Sequence, residues 1–363
     1  MKFRFPAKKI NITAVILILA AMLSLSACNR QEIPMNAIYF WQPELTLTQQ
    51  EQKFLAEQHV TTIYLHLFDV VKDKKGTLTA DNKLRFHDRI PKGLKVVPVV
   101  FIDQSVINDN TDVDTLARLI VNDATSMMEK NGYPTPAEIQ VDYDWNTKTE
   151  GFYFNLLKKM RNLMHDRDGS LSSAIRFHHL SMHEPPVDYA VLMLYDSGVY
   201  NSPDEIKSVL SYAKVHEYIH GLKTYELPLA TVLPIYGWDM VYSKGKFRCV
   251  ARGLTLKDTT QFQKIATNRY VSKGYNTIPI AANTGLGGRI YPNDTIIHEQ
   301  PTPGMLDSVA SLISRVRPGD CGNIVLYHLN GTTLRRYDKQ FLKQIFDGGS
   351  MATTDNKATS PLR

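Results

Sequence analysis

Two aspartates stand two residues apart in the stretch from Glu138 to Asn146, where polar and apolar residues alternate. Residues at this spacing in a strand point to the same face, so the carboxylates of Asp142 and Asp144 would lie about 6–7 Å apart. Two close carboxylates raise the pKa of one of them, so one can hold a proton near neutral pH. The pair therefore predicts acid–base chemistry or the stabilisation of positive charge on a bound molecule.

The alternation also indicates where this strand lies. Its polar face would carry Gln140, Asp142, Asp144 and Asn146. Parallel strands covered by helices normally read as apolar runs, so a polar face needs an enclosed, wet space. The mouth of a (β/α)8 barrel is such a space, because catalytic residues come from the carboxyl ends of its strands. The alternatives are an exposed edge strand, or aspartates that cap the helix starting near Lys148.

Eight strand-like segments, mostly separated by helical patterns, predict an α/β fold of the (β/α)8 TIM-barrel type. The predicted strands are 36–42, 61–70, 94–103, 138–146, 172–180, 189–196, 229–238 and 323–329. The predicted helices are 45–59, 114–131, 149–165, 203–220 and 337–346, with a short one possible at 82–88. In the second strand, alternation places His66 on one face with Tyr64 and Phe68.

A long insertion, about 240–320, separates the seventh and eighth predicted strands. It is expected to contain a hairpin at 240–253, a helix at 258–273 and an irregular or β-rich segment at 274–304. Insertions of this length more often form a lid or a binding loop than inert packing. The glycines at 285, 287 and 288 lack the spacing and the strand-to-helix context of a phosphate-binding loop.

The first 28 residues resemble a bacterial lipoprotein signal. Four basic residues precede an apolar run at 10–25, and Leu25-Ser-Ala-Cys28 follows. The resemblance implies a signal peptide at 1–27, acylation of Cys28 and a tether at 28–35, with a lipid bilayer as partner. The protein would then be lipid-anchored at a bacterial envelope membrane, facing away from the cytoplasm, in the periplasm or at the cell surface. A transmembrane anchor is the alternative, but the apolar run is short for the ~20 residues that a span needs.

Removing the signal changes how the charge is read. It takes away four of the 42 basic residues and none of the 36 acidic ones, so the net charge falls from +6 to +2. The basic isoelectric point therefore gives no argument for a nucleic-acid partner. Hydrophobic residues make up 43% of the chain, which indicates a folded body, expected at 36–347, before a disordered tail at 348–363. An exported protein could bridge Cys249 and Cys321, and two free, buried thiols are an equal alternative.

Three short motifs resemble landmarks of the chitinase-like glycoside hydrolases of family 18. That family carries Asp-x-x-Asp-x-Asp-x-Glu on strand four, Met-x-Tyr-Asp on strand six and a Pro-x-Tyr-Gly-like element on strand seven. This chain has Asp142-Tyr-Asp144, Met193-Leu-Tyr195-Asp196 and Pro234-Ile-Tyr236-Gly237 in that order. The resemblance implies that Asp144 orients or stabilises a positively charged sugar intermediate and that Tyr195 donates to it.

The chain departs from the family at the proton donor. The family's glutamate falls on Asn146 and its first aspartate on Ile139. An amide cannot donate a proton as a carboxylic acid does, and loss of general acid–base help costs a factor of ~10²–10⁴. Asp196 is the first candidate for a replacement acid because it ends a strand, with a turn cap before Pro203 as its alternative role. Asp69, Asp103 and Glu184 are further candidates.

Other side chains at strand ends are candidates for ligand binding. Trp41, Tyr236 and Trp238 could stack on sugar rings, whereas Trp145 points away from Asp144 and is expected to pack against helices. Arg176 could pair with either aspartate or grip a substrate carboxylate. The remaining candidates for substrate binding are His66, Asn146, His178 and His328. The neighbours His178 and His179 would point to opposite faces, so at most one would enter the barrel.

These residues leave three classes of function. The leading hypothesis is an envelope lipoprotein whose barrel binds or hydrolyses glycans around Asp142 and Asp144. A non-catalytic glycan-binding lipoprotein is favoured by the amide at Asn146. A metal-dependent hydrolase would need ligands from His66, Asp142, Asp144, His178 and His328, but no His-x-His spacing supports it. We expect no cofactor and no metal.

Overall fold

The computed structural model describes residues 35–108, 111–195, 209–251, 254–274, 276–277, 289–320 and 322–349. Its first nine strands are β1 (Ala37–Phe40), β2 (Glu44–Leu45), β3 (Thr62–Lys72), β4 (Leu78–Asp81), β5 (Arg85–Phe86), β6 (Lys95–Ile102), β7 (Glu138–Asp142), β8 (Ser170–Ile175) and β9 (Tyr189–Met193). The others are β10 (Leu229–Pro234), β11 (Trp238–Ser243), β12 (Lys246–Ala251), β13 (Phe262–Ala266), β14 (Arg269–Ser272), β15 (Asn276–Thr277), β16 (Arg289–Ile290), β17 (Thr295–Glu299) and β18 (Ile324–Tyr327). The α-helices are α1 (Gln49–Glu57), α2 (Val113–Lys130), α3 (Glu150–His165), α4 (Tyr212–Glu217), α5 (Ile219–Thr224), α6 (Pro303–Val316), α7 (Gly331–Leu334) and α8 (Lys339–Phe346).

Eight parallel strands close into a barrel. Their order is β1-β3-β6-β7-β8-β9-β10-β18, and β18 pairs back with β1 to complete the ring. The predicted (β/α)8 barrel is therefore confirmed. The barrel strands lie within one to five residues of their predicted bounds, and the largest differences are at their carboxyl ends.

Residues alternate between the inside of the barrel and its outer face, as the two-residue period of a strand requires. The inner core is made of small, β-branched and aromatic residues, Ala37, Tyr39, Tyr64, Val97, Val99, Ala174, Tyr189, Val191, Met193, Ala230, Val232 and Val325. The outer faces pack against the helices in a second, larger core that includes Trp145 and Tyr153.

A buried carboxylate occupies the amino-terminal end of the barrel. Glu138 is completely buried, and it accepts hydrogen bonds from Lys95 Nζ at 2.6 Å, from Ser172 Oγ at 2.7 Å and from the hydroxyl of Tyr189. The hydroxyl of Tyr64 lies 2.6 Å from that of Tyr189 and extends this network. The network satisfies the charge of Glu138 inside an apolar barrel, which an unpaired carboxylate would destabilise.

The long predicted helices are present. α1 begins with a capping box formed by Thr48 and Glu51, and Asp112 caps α2 through the backbone of its first turn. α2, α3 and α8 lie within three residues of their predicted bounds. Between 203 and 220 the structure has α4 and the start of α5, while residues 196–208 lie outside the described part of the chain.

Two predicted helices were wrong. The segment 82–88 contains the short strand β5, which pairs parallel with β2. The preceding strand β4 pairs antiparallel with β3. The segment 258–273 forms the antiparallel hairpin of β13 and β14. In both segments apolar residues are too few to cover a helical stripe, so pairing with an existing strand satisfies the backbone instead.

The insertion after β10 forms an antiparallel sheet with the order β12-β11-β17-β14-β13, which includes the predicted hairpin. The chain enters this sheet at Gly237, where an added Cβ would lie 2.7 Å from the carbonyl oxygen of Glu299. Only glycine fits so close an approach. Cys249 is buried in this sheet as a free cysteine, and Cys321 lies outside the described residues.

The described residues end at Gly349, and the carbonyl of Gly348 still accepts a hydrogen bond from Ser314 at 2.9 Å. The predicted signal, Cys28 and most of the predicted tail lie outside the described residues. Within the described part of the chain, no helix combines the length and the apolar character needed to cross a membrane.

Candidate functional site

The polar face of β7 points into the barrel. Glu138, Gln140 and Asp142 are buried side chains on this face, and the phenol of Tyr39 donates a hydrogen bond of 2.5 Å to Gln140 Oε1. The strand ends at Asp142, so the predicted strand to 146 was too long. Asp144 therefore lies outside the strand rather than on a strand face shared with Asp142.

Asp142 forms an ion pair with Arg176, one of the two pairings considered from the sequence. β8 ends at Ile175, and the extended backbone of Arg176 directs its side chain toward β7. Nη2 of Arg176 donates to Asp142 Oδ1 at 2.8 Å. Burial lowers the pKa of Arg176, but the adjacent carboxylate outweighs burial and leaves this pKa raised. The guanidinium is thus permanently charged and held at the mouth of the barrel.

Asp144 and Asn146 lie at the rim. The carboxylate of Asp144 is half exposed, and its Oδ1 lies 3.4 Å from His178 Nε2. Asn146 is exposed and shapes the turn before α3, because its Oδ1 accepts a hydrogen bond from the backbone of Lys148 at 2.9 Å. The side chain of Asn146 is therefore used for a turn.

His178 and His179 lie on a 3₁₀ helix, Phe177–Ser181, and not on the predicted strand 172–180. Because the strand ends first, the two rings do not point to opposite faces. Nε2 of both rings is near the carbonyl oxygen of Trp145, at 3.2 Å and 2.9 Å. The expectation that the pair would separate was wrong for this reason.

The Asp144, His178 and His179 side chains place three possible metal-ligand atoms within 4.8 Å of one another. The hydrogen bonds of His179 argue against a metal there. Its Nδ1 accepts from the backbone N–H of Arg176 at 2.9 Å, so Nε2 carries the proton that it donates to Trp145. Burial also lowers the pKa of His179 to about 3. The ring is neutral and has no free lone pair for a cation.

The other proposed metal ligands are not brought together. His66 pairs with Asp69, and Asp142 pairs with Arg176. The ring centroid of His328 lies 6.5 Å from that of Tyr236. The metal-dependent hydrolase is therefore the hypothesis that the geometry supports least.

Aromatic side chains line the open end of the barrel. We call the group Trp41, Tyr195, Tyr236, Trp238 and Tyr327 the aromatic mouth. Its rings form a continuous series, with centroid distances of 6.1 Å from Trp41 to Tyr327, 4.9 Å from Tyr327 to Tyr195, 5.8 Å from Tyr195 to Tyr236 and 5.6 Å from Tyr236 to Trp238. Burial is the largest cause of a raised pKa for Tyr195, so its phenol stays protonated and can donate a hydrogen bond.

Trp145 does not join the aromatic mouth. It is completely buried, and its ring stacks on that of His179 at a centroid distance of 3.3 Å and an interplanar angle of 4°. The prediction that Trp145 packs against the helices is confirmed by its contacts with Tyr153 and Phe154 of α3.

His66 lies beside the aromatic mouth on β3. A register shift between His66 and Phe68 turns Phe68 to the outer core, so the predicted sharing of a face by these two residues was wrong. The same shift brings Asp69 beside His66, with 2.7 Å between Asp69 Oδ1 and His66 Nε2. The ring of His66 also stacks on Trp41 at 4.2 Å.

The candidate replacement acids have different surroundings. Glu184 accepts hydrogen bonds from the backbone of Glu226 and Leu227, and Asp103 accepts from Ser105, so both stabilise turns. Asp196 lies outside the described residues. Of the three candidates that the structure describes, Asp69 lies beside the aromatic mouth through its contact with His66.

The sequence analysis did not identify Tyr327 as a member of the aromatic mouth or Gln140 as part of its floor. Alternation in β18 could have found Tyr327, which shares the inner face with Val325. Nε2 of Gln140 and Nη1 of Arg176 are buried donors that have no acceptor among the described residues.

No protein-family model and no curated protein matches this chain. Among solved structures, the C-terminal domain of a putative chitinase from Desulfitobacterium hafniense DCB-2 aligns over 87% of this chain and 99% of that chain, with 11% identity and a TM-score of 0.54. The Group IV chitinase of Ostrinia furnacalis, solved in complex with allosamidin, aligns over 87% and 100%, with 10% identity and a TM-score of 0.50. The spore cortex-lytic enzyme SleL of Bacillus megaterium QM B1551 aligns over 87% and 74%, with 14% identity and a TM-score of 0.47.

The barrel has a chitinase-like fold. This confirms the fold that the three motifs implied.

Proposed function

We propose that this chain is an envelope lipoprotein that binds a glycan in the mouth of its chitinase-like barrel. The observation that carries the proposal is the aromatic mouth, a series of five rings that spans the open end from Trp41 to Trp238. Flat aromatic faces bind the apolar faces of sugar rings, while their edges and hydroxyls remain near water.

The floor of the mouth offers hydrogen bonds that sugars can use. The guanidinium of Arg176 has one nitrogen on Asp142 and another, Nη1, with no acceptor in the described part of the chain. The protonated phenol of Tyr195 is a further donor at the same level. Sugar hydroxyls and amide carbonyls accept such bonds, so these groups would fix the orientation of a ring that the aromatic side chains hold.

Binding is favoured over hydrolysis by the groups at the family's catalytic positions. Asn146 carries an amide that holds a turn, and Asp142 is committed to an ion pair with Arg176. A hydrolase would need its acid from elsewhere, with Asp196 and Asp69 as the remaining candidates. Hydrolysis by a displaced acid is therefore the second candidate function, supported by the position of Asp69.

The proposed envelope location depends on the amino-terminal sequence. A basic segment, an apolar run and Leu25-Ser-Ala-Cys28 together support export and acylation of Cys28. Labelling with a palmitate analogue tests this step in cells. Label on the wild type and not on Cys28→Ser is the expected result, and equal label on both would contradict the anchor.

The glycan proposal is tested with the soluble protein from Asn29 onward. Binding and release of reducing ends are measured on a panel of N-acetylated and neutral glycans, for the wild type and for Asp144→Asn. Saturable binding without release of product supports the binding function. Turnover that Asp144→Asn abolishes, with folding intact, would show a hydrolase, and the absence of both would reject the proposal.

A further inference from the structure

Four side chains of the described residues contact one another in a series that ends at the aromatic mouth. Asn82 Nδ2 donates to Asp69 Oδ2 at 2.6 Å, and Asp69 Oδ1 lies 2.7 Å from His66 Nε2. His66 in turn stacks on Trp41 at a centroid distance of 4.2 Å and an angle of 23°. The contacts link an exposed residue beside β4 to the first ring of the aromatic mouth.

The carboxylate fixes which nitrogen of His66 carries a proton. An ionised carboxylate only accepts hydrogen bonds, so Nε2 of the neutral ring is the protonated nitrogen and donates to Asp69. Nδ1 then has a free lone pair and no partner in the described part of the chain. His66 is nearly buried, with 3% of its side chain exposed.

Asn82 determines which oxygen of Asp69 faces His66. Because its amide donates to one oxygen of Asp69, only the other oxygen faces His66. The stacking on Trp41 holds the imidazole plane, so rotation and tautomer are both defined before any ligand arrives. This fixed geometry suits an Nδ1 that accepts a hydrogen bond from a ligand.

We propose that His66 Nδ1 accepts a hydrogen bond from a ligand hydroxyl beside Trp41, and that Asp69 is the positioning residue that keeps this nitrogen unprotonated. The inference rests on the proposed glycan function and assigns a specificity determinant within it. The ligand group is a hydroxyl donor on the sugar that Trp41 contacts. A sugar with no hydrogen-bond donor at this position would not bind.

The variant Asp69→Asn tests the tautomer directly. With Asn82 donating to residue 69 as in the wild type, the carbonyl of the new amide faces Asn82 and its NH₂ faces His66. Nε2 must then accept, and the proton moves to Nδ1. Nitrogen-15 NMR of histidine-labelled protein, at a pH well above the ordinary pKa of histidine, distinguishes the two tautomers.

The double variant Asp69→Asn with Asn82→Ala provides a rescue. Without Asn82 the amide at position 69 can turn its oxygen toward His66, so the Nε2–H tautomer should return. The matched control is Asp81→Asn, an exposed carboxylate on the neighbouring strand β4 that stands opposite Asp69 in the strand pair and accepts a hydrogen bond from the backbone N–H of Asn82. It should leave the tautomer of His66 unchanged.

Glycan affinity is measured on the same proteins. Asp69→Asn should weaken binding about five- to tenfold, the loss of one neutral hydrogen bond, while Asp81→Asn stays within twofold. A wild-type His66 protonated on Nδ1, or an Asp69→Asn variant with unchanged affinity, would overturn the inference. If the wild type binds no glycan, the proposed function fails, and the NMR result alone then decides whether Asp69 positions His66.

Discussion

Asp142, the last residue of its strand, and Arg176, the first residue beyond the next strand, are joined by a hydrogen bond of 2.8 Å at the mouth of the barrel. The pair neutralises the carboxylate of Asp142, and Nη1 of Arg176 has no acceptor among the described residues. Asp142 is therefore held in a charge pair, which makes acid–base chemistry by this carboxylate less favourable.

Removing the carboxylate of this pair should destabilise the fold. Asp142→Asn leaves Arg176, whose side chain is 24% exposed, without its counter-charge, and we expect a loss of roughly 3 kcal/mol in the free energy of unfolding. Urea denaturation measures it. Lys159→Met, which breaks the half-exposed pair of Lys159 with Asp114, is the control and should cost under about 1 kcal/mol. Equal losses in the two variants would contradict a buried pair.

His179 should make stability depend on pH. Burial lowers its folded-state pKa to about 3, against an ordinary value of 6.5. Its contribution is fully present above pH 6.5 and is lost as the pH falls toward 3, because only the unfolded chain then binds the proton. The slope is about 1.4 kcal/mol per pH unit in that window.

The comparison of His179→Asn with the wild type isolates this effect. Between pH 6 and pH 4 the difference in unfolding free energy between the two proteins should shrink by roughly 2 kcal/mol. A wild type and His179→Asn with parallel pH profiles would show that this ring titrates normally.

Glu138 should stabilise the amino-terminal end of the barrel and should not contribute to glycan binding. Glu138→Gln loses the charge partner of Lys95 and places an amide N–H₂ among three donors, for a cost of roughly 3 kcal/mol. Thermal unfolding measures this cost. Because Glu138 lies at the opposite end from the aromatic mouth, glycan affinity of the folded fraction should stay within twofold, and a tenfold change would indicate that the two ends are coupled.

Restoring the family's carboxylate at position 146 should not produce a hydrolase. Asn146→Glu loses the hydrogen bond to Lys148, at a cost of about 1 kcal/mol, and still lacks a carboxylate at Ile139. Asn146→Asp keeps an acceptor for the turn and serves as the control for stability. Release of reducing ends by Asn146→Glu alone would show that the rest of the catalytic machinery is intact.

The fold was predictable because its signals are local and repeated. β6 and β9 are almost wholly apolar runs, β3 is a long, mostly apolar strand, and helices such as α2 have both a periodic apolar face and a capping aspartate. The two helices that were predicted wrongly lie in segments with weak periodicity, where pairing to a distant strand decided the structure. Sequence spacing cannot show which strand edge is available.

The structure brings Arg176, Trp41, Tyr195, Tyr236 and Trp238 to one end of the barrel, and their part in binding stays a prediction. The register shift in β3 and the early ends of β7 and β8 are tertiary features, and they decide that Asp69 meets His66 and that Asp144 leaves the strand. One residue of slip reverses a side chain, so alternation alone could not place them.

Titration of the soluble protein from Asn29 onward with N-acetylated and neutral glycan oligomers, followed by calorimetry, tests the central claim most directly. The wild type is compared with Trp41→Ala and with Tyr291→Ala, an exposed aromatic residue on the insertion. We predict saturable binding that Trp41→Ala weakens about fivefold or more and Tyr291→Ala leaves within twofold, since a stacked ring contributes roughly 1 kcal/mol or more. A wild type that binds none of the oligomers, or binding that is indifferent to Trp41, would contradict a glycan site at the aromatic mouth.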